Sequence, residues 1–198
     1  MYNKMFQITV FCDFSKAFDR ISHTILLDKL YYYGIRGNPS NWLKSYLTNK
    51  KQYTTYDNAS SPYNTITRGM PQGSILGPLL FSIFINDIVH SSNKLKFLVY
   101  ADDTTLFIQG HNLNDTLQVM ITELNKVQKW ILSIKPTQNH NKTHCIISSP
   151  LMTRQINTVV KINDCRIRKV TESKLLGDII DNKSKLKSQV DFIQRYQF

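Results

Sequence analysis

The sequence predicts an α+β fold, one mostly antiparallel sheet with helices packed on one face. Three observations predict it. Short strand-like stretches (residues 6–13, which alternate, 95–108 and 143–148) are interspersed with stretches of helical period such as 114–131. Turn-forming residues, Ala101-Asp102-Asp103-Thr104 and Asn163-Asp164, stand where hairpins would close. No linker-like composition interrupts the 198 residues, so one domain is expected.

The elements follow in order. In residues 6–13, Phe6, Ile8, Val10 and Cys12 face one way and Gln7, Thr9, Phe11 and Asp13 the other. That is the pattern of a half-buried strand carrying Asp13 near its end, on the more polar face. Ser22 is expected to cap a helix with Ile25, Leu26, Leu30 and Tyr33 as its stripe and Gly34 as its end. A second helix, from about Pro39 to Leu47, would turn Trp42, Leu43, Tyr46 and Leu47 inward. Residues 51–67, rich in Thr, Ser, Asn and Tyr, read as strand and loop. A Gly-punctuated turn, Thr67 to Gly77, leads into an almost wholly apolar helix from about Pro78 to Val89. Proline is tolerated there only within the first turn. Leu95 to Ile108 reads as two strands and a hairpin tip. Asn114 or Asp115 would cap the next helix, whose apolar positions are Leu117, Met120, Ile121, Leu124, Val127 and Ile131. Beyond it lie a strand (Thr143 to Ser148), a hairpin turning at Asn163-Asp164, a strand around Leu175 to Ile180, and a helical tail with Lys183, Lys185 and Lys187.

Composition bounds the partners. Twenty-five Lys and Arg against 14 Asp and Glu give a net charge of +11. Such an excess favours a polyanion, either nucleic acid or an anionic membrane surface. The longest apolar run, Ile75 to Ile85, is broken by Gly77, Pro78 and Ser82. It is shorter than the ~20 residues a membrane span needs, so a buried core helix is expected and no membrane. The N-terminus lacks the apolar run and cleavage site of a signal peptide. Cys12, Cys145 and Cys165 are odd in number and show no C-x-x-C spacing, which suits a reducing compartment. An intracellular protein, nuclear or cytoplasmic, is therefore expected.

Asp13, at a strand end, and Asp102-Asp103, at a hairpin tip, would bring three carboxylates together if their strands are neighbours. Charges that close repel unless a cation lies among them. Magnesium, held by carboxylates and substrate phosphates, is the natural candidate. Taken singly, Asp-Asp reads more simply as a turn and Asp13 as a solvated strand end. In GMPQGSILGP, Gly69, Gly73 and Gly77 would allow close approach of a substrate, and Gln72 offers a donor and an acceptor. A plain turn into a helix explains the segment equally well. Phe18, on its own, reads as core packing. The histidines are scattered, and His140 and His144 fall in a loop-like stretch that does not suggest a metal site.

Together the motifs say more. FCDFSKAFD, TRGMPQGSILGPLLFSIFIND and YADDT, in that order, resemble the reverse-transcriptase palm, and more narrowly that of non-LTR retrotransposons of the LINE and jockey type. The resemblance covers about residues 5 to 180. It implies an RNA-directed DNA polymerase that adds dNTPs to a primer 3′-hydroxyl, with an RNA template and a DNA primer as partners. It implies two Mg2+ ions, with Mn2+ as a substitute, held by Asp13, Asp102 and Asp103. It places Phe14, Phe18, Gln72 and Gly73 against the nucleotide, Phe18 as the aromatic beneath the sugar that favours deoxynucleotides. It makes Lys142 a proton donor to the leaving pyrophosphate, and Leu175, Leu176 and Gly177 the strand that grips the primer. The stretch SIKPTQNHNKT around Lys142 is longer than the family's compact form. The expected layout is a partial palm over residues 1–182, fingers missing, with 183–198 the Lys-rich start of a truncated thumb. Two other readings stay open at this point. One is a catalytically inactive, basic nucleic-acid-binding remnant of such an element; the other is the palm of a group II intron-type enzyme.

Overall fold

The computed structural model describes residues 5–15, 18–70, 73–134, 137–138, 143–149, 160–162 and 165–183. The first half of the chain contains β1 (Phe6–Ser15), α1 (His23–Tyr32), α2 (Asn38–Leu47), β2 (Lys50–Gln52), β3 (Thr55–Tyr56), β4 (Ala59–Ser60), β5 (Asn64–Ile66) and α3 (Leu76–Ile85). The second contains β6 (Lys96–Tyr100), β7 (Asp103–Gly110), α4 (Leu113–Ile134), β8 (Thr137–Gln138), β9 (His144–Ser148), β10 (Val160–Ile162), β11 (Cys165–Lys169), β12 (Glu172–Leu175) and β13 (Asp178–Asp181). The architecture is mixed α and β with a mainly antiparallel sheet, as expected. Among the described residues no helix is long and apolar enough to cross a membrane.

The chain forms two compact units. One comprises Met1–Asp13, Val89–Lys129 and Gln138–Phe198; the other comprises Phe14–Ile88 and Trp130–Thr137. The first unit is built on a sheet with strand order β10-β11-β9-β1-β7-β6. Strand β1 lies inside this sheet, antiparallel to both β7 and β9, and β11 runs parallel to β9. Ile8, Val10 and Cys12 are buried, as their alternation predicts. Thr9 and Phe11 are buried too, so the strand is covered on both faces rather than half-buried. A strand between two neighbours has no open edge, and Phe11 is covered further by the His144 ring on β9, whose centroid lies 5.0 Å away.

Helix α4 buries Leu117, Met120, Leu124, Val127 and Ile131 along the predicted stripe. Its cap is Asn112, not Asn114 or Asp115, because the helix starts at Leu113 and those two already lie in its first turn. Asn112 Oδ1 accepts from the backbone N–H groups of Asn114 (2.9 Å) and Asp115 (3.4 Å). Glu123 of α4 is buried, and Ser92 Oγ and Lys126 Nζ both donate to its carboxylate at 2.7 Å. Ile162 pairs with Cys165, leaving two residues to connect β10 and β11, as the Asn163-Asp164 turn signal predicts.

The second unit contains α1, α2, α3 and two small antiparallel ladders, β2–β5 and, nested between them in the chain, the hairpin β3–β4. Ser22 Oγ accepts from Ile25 N–H at 3.5 Å, and Leu26 and Leu30 are buried. Gly34, at φ +91°, ends α1 with its N–H donating to Tyr31 O. Tyr33 and Trp42, expected inside, are 48% and 57% exposed. Trp42 stacks on Tyr46, and Leu47 is the fully buried member of α2. Helix α3 begins at Leu76, which puts Pro78 in its first turn. Lys29 of α1 ion-pairs with Asp87 and donates to Phe84 O at 2.6 Å, tying α1 to the end of α3.

Candidate active site

The register of β1 against β7 ends Cys12↔Thr104, Asp13↔Asp103. On the other side of β7, Tyr100 of β6 also pairs with Asp103. Asp103 is therefore the first residue of β7, directly across from Asp13. Only Ala101 and Asp102 form the hairpin connection; Asp103 and Thr104, expected at the tip, already belong to the ladder. Ala101 makes the corner at φ +50°, in the left-handed region that side chains disfavour. The sheet thus brings Asp13 to the adjacent pair Asp102 and Asp103, 89 and 90 positions further along the sequence. Asp13 is half-buried, and Asp102 and Asp103 are exposed.

Their proximity shows in Asp103. Partial burial raises its carboxyl pKa above the ordinary carboxylate value, and the charges of Asp102 and then Asp13 raise it further. The neighbouring thiol of Cys12 is pushed up to about 12 by burial, which leaves it inert as a nucleophile at neutral pH. The donor set fits a divalent cation in two respects: the oxygens are hard ligands, and their mutual repulsion is of the kind a cation relieves. Among the described residues no three His, Cys, Asp or Glu side chains converge enough to hold a metal by themselves.

A cavity of about 340 Å³ opens beside the carboxylates. Asp13 and Asp103 line it together with His144, Arg168, Lys174 and Leu175. Carboxylates and cations thus share one concave surface, which suits a ligand bearing phosphates. Sequence reasoning missed Arg168, Lys174 and His144. No motif marks them; the parallel β9–β11 pairing, with Arg168 opposite His144, brings two of them together. His144 forms a hydrogen bond through Nε2 with Ser173 Oγ at 2.6 Å.

The remaining expected site residues fall as follows. Leu175 ends β12, and Leu176 (φ +51°) and Gly177 (φ +103°) form the tight turn into β13. The expected single strand over 175–180 is therefore a hairpin, Leu175 pairing with Asp178. Phe14 is 4% exposed and belongs to the core of its unit. Phe18 starts a 3-10 turn (Phe18–Arg20) and is half-buried, its ring stacked on Phe81 at 4.5 Å. Gly73 is exposed at φ +75°. Ser74 Oγ accepts from Gly77 N–H at 3.0 Å and closes the first turn of α3. Gln72 and Lys142 lie outside the described residues.

The family model described as reverse transcriptase (RNA-dependent DNA polymerase) matches residues 2–180. The chain belongs to the reverse transcriptase family. It is 30% identical over 191 residues to the probable RNA-directed DNA polymerase from transposon BS of Drosophila melanogaster, covering 88% of this chain and 20% of that one. It is 30% identical over 140 residues to the RNA-directed DNA polymerase from mobile element jockey of the same fly, covering 66% and 15%. These relatives support the LINE and jockey type. Among solved structures, the telomerase of Candida tropicalis in complex with the TWJ fragment of telomeric RNA superposes with a TM-score of 0.63 at 14% identity, covering 100% of this chain and 31% of that one. The telomerase of Candida albicans with a TWJ fragment gives 0.61 at 14%, covering 90% and 29%. Those likenesses show the reverse-transcriptase palm-like fold. This reverse transcriptase chain spans about a fifth of the length of the BS, X-element and Drosophila funebris jockey relatives. The family generally uses divalent metal ions.

Proposed function

We propose that the chain is the palm of a non-LTR retrotransposon reverse transcriptase, adding dNTPs to the 3′-hydroxyl of a DNA primer on an RNA template. The observation that carries the reading is the Asp13↔Asp103 register with Asp102 at the adjoining corner, in a chain of this family. Asp13, Asp102 and Asp103 would hold two Mg2+ ions, or Mn2+. The ions, once bound, would lower the pKa of the attacking hydroxyl and stabilise the leaving oxygen. The chain's own work is positioning and charge. Arg168 and Lys174, which line the cavity together with Asp13 and Asp103, would supply cations for backbone phosphates, and Leu175, Leu176 and Gly177 would shape a turn against the primer. Phe18, Gln72 and Gly73 would contact the incoming nucleotide, with Phe14 supporting them from the core, and Lys142 would donate a proton to pyrophosphate. Residues 1–182 form the palm in this reading and 183–198 begin a thumb; the enzyme works inside the cell, where its nucleic-acid substrates are.

Primer extension by the full chain with Mg2+, an RNA template, a DNA primer and dNTPs tests this. Asp102→Asn is expected to lower the rate about a hundredfold or more. Extension that survives this change unaltered removes the metal assignment. Salt-sensitive binding of primer–template with no extension by the wild-type chain would favour the second reading, a basic nucleic-acid-binding remnant, which the +11 charge supports.

A further inference from the structure

We propose that His23 is a positioning residue that, together with Gly69, clasps the Phe18 turn to the segment leading into Gly73, and so sets how strictly the site prefers a deoxynucleotide to a ribonucleotide. The proposal rests on the polymerase reading above.

The clasp joins residues 18–23 to residues 68–70 through an isolated β-bridge and hydrogen bonds on either side of it. Ser22 and Arg68 form an isolated antiparallel bridge. Gly69 N–H donates to Ile21 O at 2.8 Å, and Met70 N–H donates to Phe18 O at 2.9 Å. His23 is buried, and its Nε2 lies 2.7 Å from Gly69 O. A carbonyl only accepts, so Nε2 carries the proton and the tautomer is set by this contact. The two backbones touch so closely that a Cβ on Gly69 would lie 2.7 Å from Asp19 O and 2.8 Å from Asp19 Cα. Gly69 also holds φ +84°. Space and conformation both demand glycine here.

The consequence concerns Phe18. Its carbonyl is held by Met70 and its ring by the stack on Phe81. An aromatic that discriminates a 2′-hydroxyl does so by where its ring edge stands. In a positioned site a shift of ~1 Å can cost a hundredfold. His23 touches no nucleotide in this scheme. It acts by supplying the buried donor that keeps Gly69, and through Met70 the Phe18 turn, in place.

The test compares the wild-type chain with His23→Leu, which removes the donor, His23→Gln, which can restore it, and Gly69→Ala. Three quantities are read: incorporation of a dNTP against the matching rNTP, KM and kcat for the dNTP, and primer–template affinity by fluorescence anisotropy. His23→Leu is expected to lower the dNTP-to-rNTP preference about tenfold, mainly through KM, the size of change one lost buried hydrogen bond brings. Primer–template affinity should stay within about twofold, a difference of a few tenths of a kcal/mol, and His23→Gln should recover most of the preference. Gly69→Ala should match or exceed His23→Leu. An unchanged preference in His23→Leu, or a parallel loss of primer–template affinity, overturns the proposal. If the wild-type chain extends no primer, the polymerase reading has failed by itself, and the clasp is judged by amide hydrogen exchange. The Gly69 and Met70 amides should then exchange at least about tenfold faster in His23→Leu while those of Val10 and Leu106 stay protected. Equal protection of Gly69 and Met70 in both chains overturns the clasp.

Discussion

Asp103 is the residue on which the cost of the site is most visible. Its pKa is higher in the folded chain than in an unfolded one, through partial burial and then Asp102 and Asp13. A raised carboxylate pKa means that the ionised form disfavours folding. The penalty is complete above the folded pKa and disappears as the pH falls through it. Asp103→Asn should therefore raise the melting temperature at pH 7 without divalent metal, and the gain should vanish below about pH 4, where the unfolded carboxylate is protonated as well. Thermal melts at the two pH values check it. The same repulsion predicts a metal response. At ten times its Kd, Mg2+ should stabilise the wild-type chain by about 1.4 kcal/mol, and Asp103→Asn by clearly less. Equal Mg2+ responses would remove Asp103 from the metal site. The neighbourhoods of the three aspartates, a strand end and a hairpin, were legible in the sequence because such features announce themselves locally; the place of Asp103 in the ladder opposite Asp13 was not. His23 was not. Its partner, Gly69, lies 46 positions away, and nothing in the residues around a histidine reveals such a contact.

At the scale of elements, hairpins were read well where their turn chemistry is strong and poorly where it is not. Ala101-Asp102 and Asn163-Asp164 contain good turn formers. Leu176-Gly177 does not resemble the favoured Asn-Gly or Asp-Gly pair, so its two strands read as one in the sequence. Helix faces followed the same rule. The aliphatic stripe of α4 is inward as expected, whereas the aromatics Tyr33 and Trp42, apolar by composition, stand outward. Hairpin β12–β13 also makes a testable link to the sheet. Ser173 on β12 bonds His144, whose ring stacks on Phe11, two residues before Asp13. Ser173→Ala should cost about 1 kcal/mol and speed amide exchange across residues 172–181, with β1 and β7 unaffected. Unchanged exchange in the hairpin would mean that the bond does not hold it.

For the molecule as a whole, the charge of +11 predicts how it meets nucleic acid. The logarithm of its affinity for primer–template should fall linearly with the logarithm of salt concentration, with a slope of about −0.7 to −0.9 per phosphate neutralised. Arg168→Ala should reduce that slope by about one contact's worth. A slope near zero would exclude an electrostatic interface. Composition indicates the sign of the expected partner, and the motifs its proposed class. Neither showed that the chain divides into two units, since the division follows contacts between distant segments. The threading has a consequence for the chain's modularity. Five successive segments alternate between the units, so the polypeptide crosses from one to the other four times. Asp13 ends the first segment and Phe14 begins the second. Neither unit can be excised as one uninterrupted stretch, and swapping residues 14–88 for those of a relative would splice foreign sequence directly onto the carboxylate-bearing strand. Such chimaeras must therefore be joined elsewhere, or the graft will perturb Asp13 whatever its sequence.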